Sequence, residues 1–149
     1  MKTAHSAIER LVSRHVSNLP AAESGRNSWG GLWFKWVSPC PEIEALWLSV
    51  RQGEVVLSCK VSHIHFSRSR YAKEKPTNLR LKRLIAQDAV KEAGRFLRGE
   101  TAVLAQIATS GAVISSAWCA KSAVPKLIHT FGKPVYAWQW PGQINTAAA

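Results

Sequence analysis

Between Asn78 and Arg98 the apolar residues return every three or four positions, the clearest helical pattern in the chain. Turned at about 100° per residue, Leu81, Ile85, Ala89, Ala93, Phe96 and Leu97 fall on one side, with Arg80, Arg83, Gln87, Lys91, Arg95 and Arg98 on the other. The spacing predicts a long helix with a core face and a basic face. Thr77 or Asn78 serves as its N-cap and Gly99 as its stop. Two residues break the partition. Leu84 lies among the cations, and Lys82 lies on the apolar side near the helix start, where its side chain has to reach out to water.

A helix with one apolar face needs a partner surface, and the segments before it supply strands. WGGLWFKWV (29–37), EALWLSV (44–50) and EVVLSCKVSHIHFS (54–67) are rich in aromatic and β-branched residues. Pro39 and Pro41 separate the first two, while Gln52 and Gly53 form a tight turn that joins the second and third as an antiparallel hairpin. Ahead of them, Ala4, Ile8, Leu11, Val12 and His15 mark a shorter helix that ends before Asn18, and Pro20 to Ser28 reads as a loop. Beyond Gly99, TAVLAQIA and GAVISSAWCA read as strands, SAVPKLIHTF as a short helix with Pro125 in its first turn, PVYAWQW as a last strand and 144–149 as a frayed tail. There is no internal repeat. At 149 residues, 46% hydrophobic and only 19% charged, the chain is long and apolar enough for one domain, 1–149, with its own core. The expected fold is α+β: a mixed or antiparallel sheet with helices packed on one face.

Charge narrows the partners. Twenty Lys and Arg oppose nine acids, a net charge of +11, which makes polyanions the first partners to weigh: nucleic acid, an anionic membrane surface or an acidic protein. The cations concentrate where the third strand leads into the long helix. Arg68, Arg70, Lys73, Lys75, Arg80, Lys82 and Arg83 lie within 16 residues and run on into the helix face that bears Lys91 and Arg98. Strand end, loop and helix are expected to form one positive surface, whose phosphate contacts release counterions and give salt-dependent affinity. The alternative is a solvated charged face with no ligand. The expected function is non-enzymatic binding of nucleic acid, DNA or RNA, through these residues. The competing class is a protein-binding inhibitor or immunity-type factor that docks an acidic or nucleic-acid-binding partner.

The order helix, three strands, helix, with Lys and Arg entering the second helix, resembles the double-stranded RNA-binding domain over residues 3 to 98. That resemblance implies contacts to the phosphates and shape of duplex RNA. His63 and His65 stand two apart on a strand, so alternation gives them one face, and this His-apolar-His step resembles the HUH endonucleases, which cut single-stranded DNA with a metal and a tyrosine. The resemblance makes Tyr71 the candidate nucleophile, with Tyr136 second. Against it, the face shared with Val55, Leu57, Cys59 and Val61 describes two histidines at the edge of a core, and no metal site is assigned. Cys119 and His129 are a conceivable thiol and base, though nothing in the sequence fixes their geometry and a buried structural cysteine is far commoner. Trp29 with Trp33, or Trp138 with Trp140, share a strand face and can stack bases or pack a core.

Cys40, Cys59 and Cys119 are widely spaced and form no CxxC pair, which argues against a disulfide framework and a cysteine zinc site. Glu9, Arg10 and Arg14 interrupt any apolar run at the N-terminus, and no stretch approaches the roughly 18 apolar residues of a membrane span. A soluble, cytoplasmic protein without a cofactor or a membrane partner is expected.

Overall fold

A computed structural model describes residues 6–132 and 134–144. Of the tail 144–149 expected to be frayed, Ile144 is instead the last residue of a strand, while 145–149, like Ala4 and Lys133, lie outside the described residues.

Helix α1 (Ala7–Val16) starts at Ser6, whose hydroxyl accepts the Glu9 N–H at 3.1 Å, and it buries Ile8, Val12 and Val16. Glu9 sits in the first turn, where a carboxylate favours the helix dipole, and it takes two bonds from the Arg26 guanidinium, at 3.1 and 3.2 Å. Arg26 ends strand β1 (Glu23–Arg26), which lies in the segment expected to be a loop. ESGR carries no strand pattern of its own. It is held as a strand by antiparallel pairing with β2 (Leu32–Val37), from Glu23 opposite Lys35 to Arg26 opposite Leu32. The Asn27 carboxamide accepts the N–H groups of Trp29 and Gly31, at 3.0 and 2.8 Å, and Gly30 supplies the left-handed backbone (φ 81°) that the turn between these strands requires.

Strands β3 (Ala45–Arg51), β4 (Glu54–Cys59) and β5 (Ser62–Phe66) complete a five-stranded sheet in sequence order. The β3–β4 connection is the expected turn at Gln52 and Gly53, with Gly53 at φ 74°. The run 54–67, expected to be one strand, is two, because Lys60 and Val61 form a turn between β4 and β5. Along β3 burial alternates, with Leu46, Leu48 and Val50 buried and Trp47 and Ser49 half-buried, whereas in β4 the consecutive Val55, Val56 and Leu57 are all buried.

After β5 comes a 3-10 turn (Arg68–Glu74) and then helix α2 (Asn78–Leu97). Thr77 caps α2, its carbonyl accepting from Leu81 N–H at 2.8 Å and its hydroxyl from Arg80 N–H at 3.3 Å. At the other end Gly99 (φ 73°) donates to the Phe96 carbonyl and Glu100 to the Arg95 carbonyl, at 3.0 and 2.9 Å, the paired bonds of a Schellman stop. Five strands rather than three separate α1 from α2, so the element order of a double-stranded RNA-binding domain is not present.

The second sheet runs β7 (Val113–Ala120), β6 (Thr101–Ile107), β8 (Val135–Gln139), β9 (Gly142–Ile144), every pairing antiparallel. Central β6 is buried from Thr101 through Ala105 because both of its faces are covered. On one, Ala102 and Leu104 meet Ala137 together with Val124 of α3 (Val124–Leu127) and Ile128 just after it. On the other, Val103 lies between Trp118 and Trp138 across the strands. Trp118 in turn lies 4.9 Å from the Phe96 ring. Pro125 stands in the first turn of α3, as its fixed φ allows. Outermost β7 leaves Val113 and Ile114 exposed.

The α+β class holds, with antiparallel sheets and helices. The chain parts into two compact units, the first Met1–Trp36, Trp47–Leu57 and Ile64–Ala93, the second Val37–Leu46, Ser58–His63 and Gly94–Ala149.

Candidate nucleic-acid interface

The basic segment 68–75 is anchored by an aromatic residue rather than left loose. Tyr71 is 5% exposed, and its hydroxyl donates to the Asp88 carboxylate at 2.7 Å, with the Leu84 carbonyl at 3.3 Å. Because 3-10 geometry puts every third residue on one side, burying Tyr71 turns Arg70 and Lys73 to solvent, while Arg68, on the side of Tyr71, is exposed at the start of the turn. Arg70 places its guanidinium 4.6 Å from the centre of the buried Phe66 ring, a cation–π contact that gives this side chain a fixed rest position. Arg68 donates to the Asn78 side-chain oxygen at 3.2 Å, tying the start of the turn to the start of α2. Lys75, in the left-handed region (φ 43°), redirects the chain into Pro76 and the helix.

On α2 the cations separate into two groups. Arg80, Arg83 and Lys91 fall within an arc of about 80° on the solvent face, whereas Lys82 lies nearly opposite, on the core side. Leu81 and Ile85 beside it are buried, as expected, but Lys82 is exposed because it borders a hollow of about 270 Å3 lined also by Ile8, Gly53, Arg68 and Asn78. Every expected cation from Arg68 to Lys91 is exposed: Arg68, Arg70, Lys73, Lys75, Arg80, Lys82, Arg83 and Lys91. Among the described residues, none of these eight has a carboxylate within salt-bridge distance. Arg98 differs. It lies beyond the end of α2 in the second unit, and Glu100 accepts two bonds from its guanidinium at 3.0 and 3.2 Å. Those bonds hold the Glu100 carboxyl below its ordinary pKa.

The remaining candidates occupy separate places. His63 and His65 are both exposed on β5, with Ser62 and Phe66 buried on either side and Ile64 half-buried between them, so they face outward instead of edging the core. His65 Nδ1 lies 3.0 Å from Glu54. No group of three His, Cys, Asp or Glu that could hold a metal occurs among the described residues. Burial, and then the bond to Asp88, push the Tyr71 phenol above the ordinary tyrosine pKa, the reverse of what an activated nucleophile needs. Cys119 packs beside Ala102 and Leu104, burial raises its thiol pKa, and His129 is exposed. Tyr136 stacks on Trp138 at 5.9 Å, and Trp140 meets Phe96 at 5.8 Å.

Two features escape sequence patterning. On the half-buried face of the first sheet, Trp33 lies edge-on to Trp47 at 5.3 Å, and Lys35 stands 5.0 Å over Trp47. Trp29, at the tip of the β1–β2 turn, is 89% exposed. The second feature is the Tyr71–Asp88 bond, for which a tyrosine inside a basic run followed by an acid on the helix was the available signal. No protein-family model matches the sequence, and neither a curated protein nor a solved structure does.

Proposed function

We propose that the protein binds nucleic acid, without catalysis, through the cations between Arg68 and Lys91. One observation carries the reading: these side chains are exposed, lack carboxylate partners, and rise from a segment pinned by buried Tyr71. Charges fixed in this way lose less freedom on meeting phosphate than charges on a mobile loop. A surface of this size predicts an affinity that falls by about 10³ to 10⁵ between 50 and 200 mM salt, if most of the cations meet a phosphate. Gel shifts with single- and double-stranded DNA and RNA at two salt concentrations test it. A shift that weakens with salt supports the reading, and no shift at low salt removes it.

A second reading, docking of an acidic protein, is favoured by one observation, the exposure of Trp29, since tryptophan anchors many interfaces. Co-purification and mass spectrometry would recover a stoichiometric acidic partner in that case. What supports a reducing, cytoplasmic setting is that Cys40, Cys59 and Cys119 are all free thiols.

A further inference from the structure

The hollow beside α2 has a floor of Ile8, Leu81 and Ile85 and a rim of Arg68, Lys82 and Asn78. Its two cations are unusual in different ways. Lys82 interrupts the apolar stripe of the helix at a position where an apolar residue would extend the buried face, yet it carries no ion pair. Arg68 is oriented by a neutral group, the Asn78 carboxamide at 3.2 Å, so its charge remains available. An apolar floor under two unneutralised cations selects for a ligand with both an apolar face and an anion close to it.

Size limits the choice further. At about 270 Å3 the hollow lies just under the roughly 300–1,000 Å3 span of small-molecule sites, which suits one ring system better than a long acyl chain. A free phosphate would engage the rim and make no use of the apolar lining. A nucleotide meets both demands, with its base over the aliphatic floor and its phosphates on Arg68 and Lys82. Arg70 and Lys73, farther along the same 3-10 turn, are exposed to meet the phosphates that follow. Within a duplex the bases are stacked and paired, and their faces cannot enter.

We propose that an unstacked nucleobase of a single strand occupies this hollow, held through its flanking phosphates by Arg68 and Lys82, so that the protein selects single strands over duplex. The proposal rests on the nucleic-acid reading above and adds strandedness to it.

The experiment compares, by fluorescence anisotropy at low salt, a short single strand of DNA or RNA, its duplex, and an abasic strand of equal length and charge. Two charge-matched variants accompany the wild type: Arg68→Gln with Lys82→Gln at the rim, and Arg80→Gln with Lys91→Gln on the outer face. The expected result is a preference of on the order of tenfold for the base-bearing strand over the abasic one, corresponding to one stacked base. The rim variant loses that preference and the outer-face variant keeps it, although both bind more weakly overall. Equal affinity for base-bearing and abasic strands, or for single strand and duplex, overturns the proposal and leaves the nucleic-acid reading standing. A preference that both variants keep, or both lose, overturns the assignment to this hollow. If no strand binds even at low salt, the nucleic-acid reading itself fails and the proposal fails with it.

Discussion

In the first unit, eight exposed cations stand between Arg68 and Lys91 with one exposed acid, Glu74, and among the described residues none of the eight has a carboxylate within salt-bridge distance. In the second, Arg98 is clamped by Glu100, only Lys121 and Lys126 among the described residues are exposed cations without a carboxylate, and the large side chains facing solvent include Val113, Ile114 and Tyr136. The net charge of +11 is therefore not spread evenly. A face that serves only solubility gains nothing from leaving its cations unpaired, since paired signs hydrate as well and repel less. The contrast teaches that pairing, more than the number of cations, separates a candidate binding surface from a merely charged one.

The comparison can be broken from the stability side first. Phe96 is fully buried against Trp118 and Trp140, so Phe96→Ala should cost about 3–5 kcal/mol in urea unfolding. In the same assay Arg83→Gln should stay within about 0.5 kcal/mol of wild type, because its exposed side chain holds nothing in place. Tyr71→Phe comes next. It removes the hydroxyl that satisfies Asp88, and a loss of about 1–3 kcal/mol is expected, with weaker nucleic-acid binding despite unchanged charge. Binding unaffected by this variant would show that the 3-10 turn does not need its pin.

A smaller effect separates the two kinds of cation. Each of Arg70→Gln, Lys73→Gln and Arg83→Gln should reduce the slope of log affinity against log salt by about 0.7 on single strands, one phosphate's share. Arg98→Gln should leave that slope unchanged, because its charge is already met by Glu100. A slope change at Arg98 equal to that at Arg83 would erase the distinction drawn here.

How much of this was legible in the sequence depended on whether a pattern repeats. Helix α2 was, because Leu81, Ile85, Ala89 and Ala93 return with the helical period, and Gly99 marks its end by the one conformation that glycine adopts freely. The Gln52–Gly53 turn was legible for the same chemical reason. The turn at Lys60 and Val61 was harder to read: neither residue is a turn former, and its one trace is that the apolar positions pass from Val55, Leu57, Cys59 and Val61 to Ile64 and Phe66. Strand β1 was hidden because its stability comes from main-chain pairing with β2, which the side chains of ESGR do not record. The exposure of the cations followed from their chemistry. The separation of Lys82 from the outer face was legible from the helical period, but the hollow it borders was not, since that depends on Ile8 and Gly53, which are distant in sequence.

Strand β7 has a practical consequence. Among the described residues it forms the margin of its sheet, with no strand paired to its outer side, and from Val113 to Ala120 it bears no charged residue to repel a second molecule. Concentrated stocks should therefore cloud by strand-to-strand self-association, and Ile114→Lys should delay the onset of turbidity without altering the melting temperature.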